Sequence, residues 1–322
     1  MTSVTERTIF DQFNYWRRAP LPAAIAPSSA PLAIVGCGTS YNLALSIAAS
    51  AAASRFRAVA VPGNEWFRRP QNYVPDWKAA AVVALSRSGE STETVAAARR
   101  SHDEKLTVVS ITCDAGSSLA QIGGPVIYSP TDPAEGIVMT TSASLMLLAG
   151  LRLCGVPVDV EAAASTAVGL LADFDTKGQD LLADVDHVVY LGAGANYGLA
   201  VEGGLKLQEM SQVFTQAFHP LEYRHGPISL VSERTLVVML YSPDSLAEEA
   251  AVTRDVQSIG ARVLGIGGPG NLMLPNDADG GSRLLALLPV LQLLGERMAT
   301  RRSRDTTAPR HLTKVVRVPA AM

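Results

Sequence analysis

The chain contains itself twice. With an offset of about 155 residues, "LAIVGCGTSYNLALSIAASAAAS" from Leu32 falls on "VVYLGAGANYGLAVEGGLKLQEM" from Val188, sharing a G-x-G turn, the tyrosine that follows it and a Leu-Ala pair. Further on, "AAVVALSRSGES" from Ala80 lies beside "TLVVMLYSPDSL" from Thr235, and "LTVVSIT" from Leu106 beside "ARVLGIG" from Ala261. Whatever architecture one half adopts, the other has to adopt as well.

Each copy reads as short apolar, β-branched runs ending in Gly or Ser, followed by stretches rich in alanine and leucine. Continuous apolar strands suit a parallel sheet covered on both faces. Strand alternating with helix then predicts an α/β fold of two doubly wound parallel-sheet units in tandem. The expected division is a lead-in over residues 1–19, a first unit over 20–157, a helical connector over 158–186, a second unit over 187–302 and a tail over 303–322. In such sheets ligands collect at the carboxyl ends of the strands, where these Gly and Ser turns fall.

A length of 322 residues suits two cores, and 48% hydrophobic with 18% charged residues describes a globular protein. The formal net charge of -3 offers no global field to hold nucleic acid or an anionic membrane, so an anion would have to be bound by local geometry. The start "MTSVTERTIF" lacks the apolar run of a signal peptide, and Arg152 cuts off the apolar "ASLMLLAGL", so a cytoplasmic protein without a membrane partner is expected. Cys37, Cys113 and Cys154 are an odd set without metal-ligand spacing and read as reduced core thiols, with no metal.

The G-x-G turns suggest a dinucleotide site, but the third glycine of that fingerprint is replaced by Tyr41 and Tyr197, which argues against a nicotinamide or flavin. The stretch "ALSRSGESTET", residues 84–94, admits two readings. In one, Ser88 or Ser91 merely caps the next helix, with Glu90 suiting its positive end. In the other, Ser86, Ser88, Ser91 and Thr92 supply more hydroxyls than a cap needs and cradle a phosphate, with Gly89 letting the backbone come close. Arg87 could add charge or simply face water. The sister turn "MLYSPDSL" has Pro243, which removes a donor, and Asp244, which repels an anion, so the reading predicts one phosphate site per chain, in the first unit.

In "VEGGLKLQEMS", Glu202, Lys206 and Glu209 share a helical face, which is either a solvated salt-bridge face or something more specific. Gly203 and Gly204 cost a helix interior about 0.8–1 kcal/mol each relative to alanine, which suggests close approach by another backbone or a ligand. In "HPLEYRHGPISLV", Glu222, Arg224 and His225 crowd before Gly226 and Pro227, making His225 an acid/base candidate. The tail "APRHLTKVVRV" is either a frayed basic terminus or, from Leu312, Val315, Val316 and Val318, a packed segment that carries Lys314 inward or to an edge.

Together these residues resemble the sugar isomerase (SIS) family of phosphosugar-binding proteins, and within it the isomerase half of glucosamine-6-phosphate synthase and its relatives. "GCGTSYN", "LSRSGESTET", "EGIVMTTSAS", "VEGGLKLQEMS", "EYRHGPISL" and "PRHLTK" stand in the family's order over nearly the whole chain. The resemblance implies flavodoxin-like, three-layer units, no metal or organic cofactor, and a homodimer with the active site at the interface. No segment here matches the synthase's glutaminase domain, which implies a stand-alone enzyme without its own ammonia source. Position by position, Gly38, Thr39 and Ser40 match the first turn that contacts sugar or phosphate, and Ser86, Arg87, Ser88 and Ser91 the phosphate turn. Val138 and Thr140 match the segment lining the sugar. Glu209 matches the carboxylate that moves a proton between C1 and C2, and Lys206 a lysine beside it. His225 matches the histidine that opens the sugar ring across a dimer interface, and Lys314 the tail lysine that forms a Schiff base.

The departures bear on the substrate. Arg87 stands where the synthase has glutamine, and "SRSG" resembles tagatose-6-phosphate isomerase or deaminase relatives. "MTTSAS" replaces a "STKAF"-like segment, losing a lysine at Ser142, and Gln216 replaces an acid. "PRHLTK" resembles the deaminase and synthase branch. The resemblance thus implies an aldose-ketose isomerase or deaminase of an amino-sugar phosphate of the glucosamine 6-phosphate type. The alternatives are tagatose-6-phosphate isomerisation, deglycation of a fructosamine 6-phosphate, and a sugar-phosphate sensor that does not turn over.

Overall fold

The computed structural model describes residues 2–25 and 29–317. Its chain divides into two compact units: residues 11–158 with 311–322, and residues 1–10 with 159–310. The helix α1 (Val4–Arg18) contributes residues to both.

The unit built on residues 11–158 holds β1 (Leu32–Gly36), α2 (Thr39–Ala53), β2 (Ala58–Pro62), α3 (Gly63–Arg68), β3 (Ala81–Ser86), α4 (Thr92–Asp103), β4 (Val108–Thr112), β5 (Val126–Tyr128) and α5 (Thr141–Leu153). Its five strands are all parallel in the order β2-β1-β3-β4-β5. Ala33, Val35, Val82, Ala84 and Val108 bury one face with Val61, Trp66, Ala97 and Ala98 from the α3 and α4 side. The opposite face is covered by α2 and α5, which pack on each other. Trp16 of α1 is fully buried in this unit and donates its indole N–H to Ser144 Oγ at 2.7 Å. Burying an aromatic of that size on an amphipathic helix contributes about 1.5–3 kcal/mol.

The other unit holds α6 (Val160–Lys177), β6 (His187–Gly192), α7 (Asn196–Ser211), β7 (Phe214–Phe218), β8 (Thr235–Leu240), α8 (Leu246–Ile259), β9 (Arg262–Ile266), β10 (Leu272–Leu274) and α9 (Gly280–Arg301). Its sheet is again parallel, in the order β10-β9-β8-β6-β7. Read from β7, that is the order of the first sheet, so the repeat is one topology used twice. Val189, Leu191, Val237, Met239 and Val263 form one buried face with Tyr223, Tyr241, Val252 and Val256. On the other side α7 packs on α9 and α9 on α6. The stretch expected as a connector thus supplies a covering helix of this unit. Its first residues are tied in by Ser3 Oγ donating to Glu296 Oε1 at 2.6 Å and by Arg297 bridging Glu6 and Asp175.

Both sheets have the flavodoxin-like strand order, in which the chain reverses direction of winding between the first and third strands of the unit. In one unit that crevice falls between the ends of β1 and β3, in the other between β6 and β8. Among the described residues no helix is long and apolar enough to cross a membrane.

Candidate functional site

At the end of β1, Gly38 turns with φ +54 into α2 and places Thr39 and Ser40, both nearly buried, at the helix start. Cys37 in this turn lies 3.4 Å from Thr94 Oγ1. Burial raises its thiol pKa and the Glu93 carboxylate adds to that, while the Thr94 hydroxyl opposes it, so Cys37 stays a protonated, weak nucleophile near neutral pH.

At the end of the neighbouring β3, Ser86 is 2% exposed, accepts the Gly89 N–H at 3.1 Å and donates to Ser91 Oγ at 3.4 Å. Ser88 Oγ accepts the Glu90 N–H at 3.2 Å. Ser91 occupies the N-cap of α4 but makes no side-chain cap bond, which goes against reading this serine as a simple cap. The starts of α2 and α4 therefore both point amide dipoles into the crevice without a side-chain cap. Gly89 does have the left-handed backbone that glycine tolerates, φ +63, but the group close to it is Ser117, whose Oγ would lie 2.0 Å from an added Cβ. Glu90 clasps the same loop, accepting Ser118 N–H at 2.6 Å and Ser118 Oγ–H at 3.0 Å. These bonds, the backbone one first, lower the Glu90 pKa below the usual carboxylate value.

Arg87 neither faces water nor reaches the serine hydroxyls through its guanidinium. It is 8% exposed and bonds to the Gly136 carbonyl and the Lys314 carbonyl, each at 3.1 Å, with Glu135 Oε2 at 3.8 Å. Glu135 is the residue that sequence reasoning missed. Its Oε1 accepts Thr140 N–H at 2.8 Å, Thr140 Oγ–H at 3.0 Å and Ser142 N–H at 2.9 Å, so a carboxylate closes the start of α5. A carboxylate a few residues ahead of a helix-starting Thr-Thr-Ser was the available signal. Val138 and Thr140 are buried in this segment. The tail is tied down by polar contacts, with Lys314 Nζ donating to the Glu135 carbonyl at 2.9 Å. Of the apolar residues of the tail, Val315 is half-buried while Leu312 and Val316 are exposed; Val318 lies outside the described residues.

The sister turn, in the other unit, is filled from within. Glu249 on α8, 1% exposed, accepts Ser242 N–H and Ser245 Oγ–H, both at 2.8 Å. Asn196 at the start of α7 donates to the Leu240 and Tyr241 carbonyls at 3.2 and 3.3 Å, and Arg283 donates to Tyr241 O at 3.0 Å. Burial raises the Glu249 pKa first and foremost, partly offset by these hydrogen bonds. A resident carboxylate thus joins Pro243 and Asp244 in making this turn unsuited to a second anion.

On α7, Glu202, Lys206 and Glu209 do share a face, and it is a buried one. Lys206 and Glu202 are fully buried with Nζ and Oε1 3.5 Å apart, and Lys206 also holds Glu209, whose side chain is 20% exposed. The close approach at Gly203 comes from neither backbone nor ligand: the Tyr190 ring of β6 would lie 2.6 Å from an added Cβ, and at Gly204 Thr215 Oγ1 would lie at 3.3 Å. The glycines let α7 sit hard on its sheet, which fixes the helix that carries Glu209. His225 follows a short 3-10 turn, Glu222–Arg224, donates its backbone N–H to Glu222 O at 3.0 Å, and is exposed. Gln216, the other noted departure, pairs with His187 Nε2 at 3.0 Å.

With that geometry in place, comparison with known proteins is specific. The SIS domain matches residues 28–153 and again residues 181–281. A glutamine–fructose-6-phosphate aminotransferase [isomerizing] of Caldanaerobacter subterraneus subsp. tengcongensis is 28% identical over 317 residues, covering 88% of this chain and 51% of its own length. One from Symbiobacterium thermophilum is 30% identical over 266 residues, with 73% and 43% covered. This chain spans about half the length of the curated relatives it matches. Among solved structures, a glucosamine-6-phosphate deaminase from Thermotoga maritima aligns with a TM-score of 0.81 at 27% identity, over 97% of this chain and 99% of that one. A tagatose-6-phosphate ketose/aldose isomerase from Escherichia coli, at 21% identity and a TM-score of 0.80 over 94% of both chains, shares the fold. Two matched segments, one on each of two sheets of identical strand order, establish that the chain belongs to the SIS domain family and carries that domain twice.

Proposed function

We propose that this chain is a phosphosugar enzyme that moves a proton between C1 and C2 of an amino-sugar phosphate of the glucosamine 6-phosphate type, with release of the amine. The similarity to the Thermotoga maritima deaminase supports the substrate class. Ser86, Ser88, Ser91, Thr39, Ser40 and Gly38 bind the phosphate and the adjoining sugar, where two helix starts lack side-chain caps. Val138 and Thr140 line the sugar. Arg87 contributes through its main chain, its side chain being committed elsewhere.

The observation that carries an enzyme, as against a sensor, is Glu209: a partly exposed carboxylate held on a rigid helix by the buried Lys206. In this reading His225 opens the ring, acting in a partner subunit's site of a homodimer. Glu209 takes the C2 proton of the open aldehyde and delivers a proton at C1, while one amino N–H proton passes to O1, giving a C1 alcohol and an imine at C2. The Lys314 amine then displaces ammonia from that imine, and water hydrolyses the lysine adduct to release the ketose and restore the amine. No metal or organic cofactor enters these steps.

The test is incubation with glucosamine 6-phosphate and related phosphosugars in deuterated water, followed by magnetic resonance of C1 and C2 and an ammonia assay. Wild-type protein incorporates deuterium and releases ammonia, and Glu209→Gln abolishes both while still binding the sugar phosphate. Absence of exchange and of ammonia with every candidate would sink the proposal. Arg87 and the "SRSG" turn favour, as a second reading, aldose-ketose isomerisation of an unaminated phosphosugar; deuterium exchange without ammonia selects it.

A further inference from the structure

Arg87 lies within the serine turn by sequence, yet its side chain serves the tail. Its guanidinium reaches the main chain at both Gly136 and Lys314, and stands 3.8 Å from the buried Glu135 carboxylate that closes α5. Its own carbonyl accepts Cys113 N–H at 3.0 Å and Thr112 Oγ–H at 3.2 Å, which pins the turn to the end of β4. The amine of Lys314 completes the ring by donating to the Glu135 carbonyl at 2.9 Å. Turn, helix start and tail are thereby one hydrogen-bonded assembly within a single unit of the chain.

We infer that Arg87 is a positioning residue: with Glu135 it forms a latch that fixes where the tail presents the Lys314 amine, and it couples that placement to occupation of the serine turn. This rests on the role proposed above for Lys314. An arginine suits the task because its planar fork presents separate N–H donors to two carbonyls and stays charged beside a carboxylate; glutamine has no charge, and lysine offers one compact ammonium instead of a spread fork.

The carbonyl that Arg87 holds belongs to the Lys314–Val315 peptide bond, so a lysine-specific protease reads the latch directly. Lys314 is the one lysine in the tail. Native protein is digested briefly and release of the segment after Lys314 is followed by mass spectrometry, with and without inorganic phosphate. Arg87→Gln is expected to be cut on the order of tenfold faster than wild type, which corresponds to about 1.4 kcal/mol. Arg87→Lys should fall between them, and phosphate should slow cleavage of the wild type but not of Arg87→Gln. Equal rates in wild type, Arg87→Gln and Arg87→Lys overturn the latch. If Arg87→Gln does not fold, Arg87→Lys decides alone, faster cleavage supporting and an unchanged rate refuting it.

A kinetic arm separates positioning from a loosened fold. With glucosamine 6-phosphate, Arg87→Gln should lower kcat about tenfold with KM within about twofold, since the chemistry loses its amine while the phosphate hydroxyls remain. A rise in KM alone refutes positioning. Should borohydride fail to trap sugar on Lys314 even in wild-type protein, the functional reading fails, and the protease rates still decide the latch.

Discussion

Replacing Lys206 by methionine removes the cation from a fully buried site and leaves Glu202 behind it, also fully buried. At the 3.5 Å separation of that pair, and with an effective dielectric of about 20, the lost attraction is about 5 kcal/mol before solvation is considered. Breaking a buried pair from one side costs about 3–5 kcal/mol in practice, because the remaining carboxylate loses that attraction while it stays in the interior. For a unit of this size each kcal/mol moves the midpoint by about 2–4 °C, so the unfolding transition that includes α7 should fall by on the order of 10 °C. Differential scanning calorimetry of wild type and Lys206→Met, at one protein concentration and neutral pH, measures it. The double substitution Glu202→Leu with Lys206→Met should recover most of the loss, since it removes both buried charges and leaves Glu209 with its path to solvent. A Lys206→Met protein whose midpoint stays within about 2 °C of wild type, less than about 1 kcal/mol on the same scale, would refute the argument that this face is a buried electrostatic assembly.

Three further expectations follow from the other unit. Ser91→Ala should leave stability within about 0.5 kcal/mol, because Ser91 makes no cap bond, yet weaken phosphosugar binding in calorimetric titration; a loss near the ~1 kcal/mol of a true cap restores the bland reading. Glu90, whose pKa its bonds to Ser118 lower, contributes stability that is present above the ordinary carboxylate pKa and lost as pH falls through the lowered value, so Glu90→Gln should flatten the acid limb of a midpoint-versus-pH curve; a Glu90→Gln limb as steep as that of wild type contradicts this. Cys154, buried and pushed up to about 12, should react slowly with a disulfide reagent in native protein and at once after unfolding; rapid native labelling of it refutes the burial argument.

How much of this could be read from the residues depends on the range over which each signal acts. The repeat, the strand-helix alternation and the inequality of the two turns are local patterns, and the two sheets of matching order follow from them. The face shared by Glu202, Lys206 and Glu209 is also local, set by helical spacing, but its burial was decided by α9 packing on α7, which no spacing reveals. Gly203 announced a close approach without naming the Tyr190 ring that makes it. Glu135 and Arg87 were the least legible, because both act through chain reversals that bring main-chain carbonyls far apart in sequence onto one guanidinium. The tail stayed open for the converse reason: a periodic pattern records what a segment could bury, and of its described apolar residues Val315 is half-buried while Leu312 and Val316 are exposed.

The Glu249 carboxylate can be viewed as a tethered competitor. Carried on α8 and held against Ser242 and Ser245, it meets its amide and hydroxyl at an effective concentration of at least the millimolar order typical of short tethers. A free anion would have to outcompete a rival that never diffuses away, and would bring it no vacated bulk-water refuge, since the displaced carboxylate is buried. Duplication of the domain therefore does not double the number of places for a phosphate: one copy keeps its crevice for a visitor, and the other has made the anion part of its own chain.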